Sequence, residues 1–214
     1  MIKVYMTDVT NLPDPQEYPE ILNGLSDSRI HKTMRYRQIK DRKQSLGAGL
    51  LLKKCLEEYG IDIEEIRCGE HGKPEIDGIY FNLSHSQDMV VCVVSDKPVG
   101  CDIEKIGEER KGIAERFFTK NERSYLESFD SERRNREFYR LWTMKESYIK
   151  MTGEGTNLAL DRVEFEILDN VNVYRDGKSC SCYIKEYEVS GYKLTVCAEC
   201  SEFSDLTIEN LYKN

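Results

Sequence analysis

An α+β fold made of two similar halves is what this sequence predicts, on three observations. Apolar and β-branched runs cluster before and after a long helical stretch. The order strand, helices, strands is then followed by helices and strands again. No linker rich in Gly, Pro or Ser interrupts the chain, so the halves, residues 1–103 and 104–214, are expected to pack tightly.

Each element has its own signal. Ile2 to Val9 reads as a strand. Past a loop punctuated by Pro13, Pro15 and Pro19, Ser26 is the expected N-cap of a short basic helix, and Asp41 that of a longer helix ending at Gly60. In the longer helix Ala48, Leu52, Cys55, Leu56 and Tyr59 recur at spacings of three and four. One face is therefore buried, and Arg42 and Lys43 fall in the first turn, where the helix terminus itself favours anions. Ile79–Ser84, Met89–Ser95 and Val99–Glu104 are predicted antiparallel strands separated by turn residues. A helical stretch runs from Arg110 to about Met151. Val163–Leu168, Val171–Tyr174, Cys182–Val189 and Tyr192–Cys200 return to strand.

Composition narrows the function classes. With 214 residues, 39 % hydrophobic and 33 % charged, the chain is long and apolar enough to bury an ordinary core. Met1 to Asp8 lacks a charged leader followed by an apolar stretch, and the longest apolar run, Met89 to Val94, is too short for a bilayer. A cytoplasmic protein without membrane contact is expected, its eight cysteines reduced. The net charge of −8 hides an asymmetry: Arg29 to Lys54 holds nine basic residues and one acid, a local +8 that leaves −16 elsewhere. Such a protein is poorly suited to track nucleic acid, but it suits a small, highly phosphorylated ligand.

Asp102 and Glu104 lie two apart in a predicted strand, so both carboxylates leave the same face. In the helix Arg136 to Met151, Leu141, Met144, Tyr148 and Met151 form the apolar face, leaving Trp142, Glu146 and Lys150 on a neighbouring one. Three carboxylates without a nearby His or Cys favour a hard cation such as magnesium. Taken singly, each has a plainer reading: two solvated acids on a strand, and an ordinary i,i+4 ion pair between Glu146 and Lys150. Thr119-Lys-Asn-Glu122 matches a capping box, so Glu122 is either a helix cap or a catalytic carboxylate. Ser84-His85 does not make a hydrolase, because adjacent strand residues diverge and no Gly-x-Ser-x-Gly elbow exists. Cys180-x-Cys182 and Cys197-x-x-Cys200 sit in predicted strands without turn glycines and are read as buried thiols, not zinc ligands.

Four segments then appear in order: Gly72-Lys73-Pro74, Phe81-Asn82-Leu83-Ser84-His85-Ser86, Val99-Gly100-Cys101-Asp102-Ile103-Glu104 and Trp142-Thr143-Met144-Lys145-Glu146-Ser147-Tyr148-Ile149-Lys150. In these the chain resembles the 4′-phosphopantetheinyl transferases of the Sfp type, which activate carrier proteins of peptide and polyketide synthases. The resemblance implies a pseudo-two-fold pair of α+β halves with coenzyme A in the cleft between them. It implies Asp102, Glu104 and Glu146 as magnesium ligands, and Arg29, Lys32, Ser45, Lys73, Ser84, His85 and Lys150 as contacts of the co-substrate coenzyme A. Glu122 matches the proposed base, Lys150 and Glu146 complete the catalytic set, and Cys101 stands where an aliphatic residue is usual.

The implied reaction is attack by a serine hydroxyl of an apo peptidyl or acyl carrier protein on the phosphorus joined to the pantetheine arm, with 3′,5′-ADP leaving. Residues of this kind suit it, since such transfer is chiefly alignment and charge neutralisation. One chain supplies both halves, so a monomer is expected. Two other readings use the same residues: a magnesium-dependent hydrolase of a nucleotide diphosphate, and a coenzyme A sensor without catalysis. Release of 3′,5′-ADP only in the presence of a carrier separates them from transfer.

Overall fold

Backbone pairing in the computed structural model, which describes residues 1–69, 74–110 and 112–212, sorts the chain into two units. Unit 1 is Met1–Asp96 with Glu202–Asn214, and unit 2 is Lys97–Ser201. The boundary expected between residues 103 and 104 therefore falls seven residues earlier, and the end of the chain returns to the first unit.

Unit 1 contains strand β1 (Ile2–Asp8), helices α1 (Asp27–Arg35) and α2 (Ile39–Glu57), the short pair β2 (Arg67–Cys68) and β3 (Pro74–Glu75), and strands β4 (Tyr80–Ser86) and β5 (Met89–Ser95). β1 pairs antiparallel with β5, and β5 with β4. The last strand of the chain, Phe203–Glu209, adds to β1 in parallel. A register shift between Ile2 and Val4 accompanies that pairing, and the Val4 N–H donates to the Ser204 hydroxyl at 3.2 Å, so the irregularity leaves no orphan donor there. The core lies between the sheet and α2, where Leu51, Leu52, Cys55 and Leu56 meet Val90, Cys92 and Val94.

α2 begins two residues before Asp41. Gln38 is its N-cap and Asp41 lies in its first turn. The reason is the Arg42 side chain, which donates to the carbonyls of Tyr36 (3.0 Å) and Arg37 (2.9 Å) and pairs with Asp14, so the α1–α2 link is fastened from inside the helix. The helix stops at Glu57, and the turn that follows ends on Gly60 at φ +67°.

Unit 2 contains β6 (Val99–Lys105), α3 (Ile113–Phe117), α4 (Lys120–Glu127), α5 (Ser131–Thr152), β7 (Val163–Ile167), β8 (Val171–Arg175), β9 (Lys178–Ser179), β10 (Tyr183–Val189) and β11 (Tyr192–Ala198). β6 pairs with β11 along its whole length, not with β5, and this pairing moves the boundary. β10, β11 and β6 form one antiparallel sheet, and β7, β8 and β9 another. The predicted helical stretch is broken twice, each time at a cap: Thr119 opens α4, and the Asp130 side chain accepts from Arg133 N–H at 2.9 Å to open α5. α5 ends at Gly153, φ +73°. Its predicted apolar face is inward, with Leu141, Met144 and Tyr148 buried among Phe118, Phe138 and Phe165.

α5 lies on β6 with almost nothing between them. A Cβ placed on Gly100 would come 2.1 Å from the Ser147 carbonyl oxygen and 2.4 Å from the Met151 nitrogen, both backbone atoms that cannot turn aside. Gly100→Ala is therefore expected to lower unfolding free energy by about 3 kcal/mol. Chemical denaturation measures it, and an unchanged midpoint would contradict the close approach.

Candidate functional site

Unit 1 carries a pocket of about 240 Å³ between the two helices and β4. Of the residues expected to hold phosphates, Arg29, Lys32, Ser45 and His85 line it, and Tyr36, Asp41, Gln44 and Asn82 complete its polar wall. α1 presents Arg29 and Lys32 one turn apart. Among the described residues neither pairs with a carboxylate. Burial pushes the Arg29 guanidinium below its ordinary value, and burial with the neighbouring Arg29 charge does the same to Lys32. Two crowded cations that lose proton affinity through desolvation regain it when an anion arrives. Ser45 stands beside them, its hydroxyl 2.8 Å from that of buried Thr33.

Two expectations change here, and a third has no outcome. Ser84 is buried and is not among the residues that line the pocket, whereas His85 is. Arg42 is not available to a ligand, because Asp14 and two carbonyls hold its guanidinium. Lys73 lies outside the described residues.

Unit 2 carries the acids. β6 sends Asp102 and Glu104 from one face, Asp102 buried and Glu104 partly so. α5 brings Glu146 and Lys150 to them. The Lys150 ammonium donates to Asp102 Oδ1 at 2.6 Å and to the Cys101 carbonyl at 3.1 Å. Burial works against its charge, but the carboxylates of Asp102 and, further off, Glu146 outweigh that and raise its proton affinity. Glu146 moves up for the opposite reason: burial first, then the charges of Asp102 and Glu104, only partly offset by Lys150. The Arg110 guanidinium sits 3.6 Å from Glu104. Among the described residues no three such side chains are gathered at metal-ligating distance; Lys150 and Arg110 supply the positive charge instead. The donor set nonetheless fits a hard divalent ion, because three carboxylate groups repel one another around a half-buried position and offer only oxygen.

Glu122 is engaged as a structural group. One oxygen accepts from Thr119 N–H at 2.7 Å and sits 2.8 Å from the Lys145 ammonium, and the other accepts from Phe165 N–H at 2.9 Å. The Thr119 hydroxyl closes the capping box on the Glu122 N–H at 3.3 Å. Its side chain is 1 % exposed. The capping box was legible; Lys145 as the partner was not, because nothing in its surroundings in the chain distinguishes a buried lysine from a solvated one. Trp142 packs against Phe117 and Phe118. Cys101 is fully buried, and the seven cysteines described by their side chains are free thiols. No described helix is long and apolar enough to cross a membrane.

Comparison with known proteins shows the family. Residues 98–197, which hold the whole acid cluster, match the family model of the 4′-phosphopantetheinyl transferase superfamily. The chain is 35 % identical over 217 residues to the 4′-phosphopantetheinyl transferase ffp of Bacillus subtilis, covering 97 % of each. It is 36 % identical over 219 residues to gsp of Aneurinibacillus migulanus (99 % of this chain, 92 % of that one) and 33 % identical over 217 residues to Sfp of Bacillus subtilis strain 168 (97 % of each). The chain belongs to the 4′-phosphopantetheinyl transferase superfamily, the enzymes that transfer the 4′-phosphopantetheine arm of coenzyme A to carrier proteins.

Proposed function

We propose that this enzyme loads a serine of apo peptidyl or acyl carrier domains, in peptide or polyketide synthesis, with magnesium bound by Asp102, Glu104 and Glu146, and that it works as a cytoplasmic monomer. The observation that carries the reading is the pairing of two chemistries in one chain: a basic pocket lined by Arg29, Lys32 and His85, and a partly buried Glu146 whose proton affinity is raised by burial and by the charges of Asp102 and Glu104. When bound, the metal would neutralise charge on the diphosphate of coenzyme A.

The chain's own residues account for the rest. Arg29 and Lys32 take phosphate of coenzyme A, and Ser45, held by Thr33, offers a hydroxyl beside them. His85 contributes from β4. Lys150 is kept charged by Asp102 and so is suited to the developing charge as the bond to 3′,5′-ADP breaks. Phosphoryl transfer asks little of a base, because its transition state forms late bonds to the nucleophile. The structural role of Glu122 is compatible with that.

Mass spectrometry of an apo carrier domain incubated with the protein, coenzyme A and magnesium tests the function. Transfer is expected to add the phosphopantetheine mass and release 3′,5′-ADP only with carrier present; release without carrier would indicate a hydrolase, and binding without release a sensor. Dephospho-coenzyme A, which lacks the 3′-phosphate, is expected to bind roughly tenfold to a hundredfold more weakly at low salt, with the gap narrowing as salt rises. Equal affinities by calorimetry would remove the pocket from 3′-phosphate recognition. Glu146→Gln is expected to lower transfer at least roughly a hundredfold while leaving the metal-free Tm unchanged or higher, since it removes one charge from three that repel. A lower Tm with intact transfer would show that Glu146 is structural.

A further inference from the structure

Lys145 is a fully enclosed charge in unit 2. Its side chain is 0 % exposed, yet its ammonium meets three acceptors: the Leu160 carbonyl at 3.0 Å, the Val163 carbonyl at 2.5 Å and the Glu122 carboxylate at 2.8 Å. An ammonium has three donors, so all are matched. The rings of Phe118 and Phe165 lie 5.5 and 5.9 Å from it. Through Glu122 the network continues to Thr119 and Phe165 N–H. One ion pair thus joins α5 to the start of α4, to the turn Leu160–Arg162 and to β7.

Stability alone does not account for it. Replacing a buried ion pair by apolar side chains of similar volume is often neutral or stabilising, whereas five directed hydrogen bonds fix a helix in rotation and along its axis in a way that apolar contact does not. The next residue on α5 is Glu146, about 100° further round the helix. One residue beyond, Ser147 lies against Gly100 of β6. Glu146 is therefore held between two anchors, one polar and one steric, and it faces the charges of Asp102 and Glu104.

We propose that Lys145 and Glu122 are a positioning pair that aims Glu146 at Asp102 and Glu104, so that the pair governs metal affinity and not only folding. The proposal rests on the metal-dependent reading above, and its test reads metal binding directly. Mn²⁺ binding to the protein saturated with coenzyme A is followed by electron paramagnetic resonance, alongside thermal melts and carrier loading across a magnesium titration.

Lys145→Met is expected to weaken Mn²⁺ binding roughly tenfold to a hundredfold and to lower Tm by roughly 5–15 °C, because a buried carboxylate loses its partner. At saturating magnesium, turnover should stay within about threefold of the parent. The double variant Glu122→Leu with Lys145→Met leaves no uncompensated buried charge, so it is expected to recover part of the lost Tm, the cap and the freed backbone groups costing the rest, while its Mn²⁺ binding stays weak. A double variant that binds Mn²⁺ as tightly as the parent would overturn the proposal in favour of a purely structural pair. Glu122→Gln with intact Mn²⁺ binding and greatly reduced turnover at saturating magnesium would also overturn it, and would return the base role to Glu122. Failure of the function itself is distinguishable: the parent would bind Mn²⁺ yet load no carrier, and the effect of the pair on binding would still be measured.

Discussion

α5 rests on β6 at a distance that only a glycine permits, and the chemistry of unit 2 depends on that contact. Because Gly100 lets the backbone at Ser147 and Met151 approach, the residues on either side of the contact are brought together: Asp102 and Glu104 from the strand, Glu146 and Lys150 from the helix. Hydrogen bonding sets the strand's own place. β6 is matched to β11 from Val99 to Lys105, and the Thr143 hydroxyl of α5 meets that of Thr195 on β11 at 2.9 Å. A side chain at position 100 would separate the carboxylates by moving a helix.

Charge follows a related logic in unit 1. The basic segment looks uniform along the chain, but folding divides it by partner. Arg42 is spent on architecture, neutralised by Asp14 and capped by carbonyls, whereas Arg29 and Lys32 are crowded together and, among the described residues, neither is ion-paired with a carboxylate. Arg42 fastens the link between α1 and α2, and that link sets the two helices that form the walls of the pocket. A residue with the right charge in the right segment thus serves the site by shaping it and not by touching a ligand.

Patterns with a local cause were the ones legible in advance. Alternation put Asp102 and Glu104 on one face, three-and-four spacing gave the inward face of α5, and Thr119 with Glu122 announced a cap. What depends on distant pairing was not legible. Phe203–Glu209 is polar and exposed along much of its length, so nothing marks it as a strand until β1 is beside it, and the boundary near Glu104 moved because β6 chose β11 over β5. Ser84 and His85 are both expected at coenzyme A, yet of the two only His85 lines the pocket, and nothing in their adjacent positions in the chain foretells that.

Burial of charge is the property that sequence conceals most completely, and Lys145-Glu146 shows why. Two charged residues side by side on a helix both read as solvated, since helical periodicity separates them by about 100° and says nothing of what packs on each side. Here one direction leads into a core lined by Phe118, Phe138 and Phe165, and the other toward two carboxylates on β6. The lysine can be buried because Glu122 and the carbonyls of Leu160 and Val163 accept from it there, and those groups come from a cap and a turn 15 to 23 residues away. A motif that resembles a row of catalytic charges therefore combines an inward anchor with an outward ligand. The same glutamate that closes the N-terminus of α4 makes the anchor possible, so capping one helix and aiming another are a single structural event.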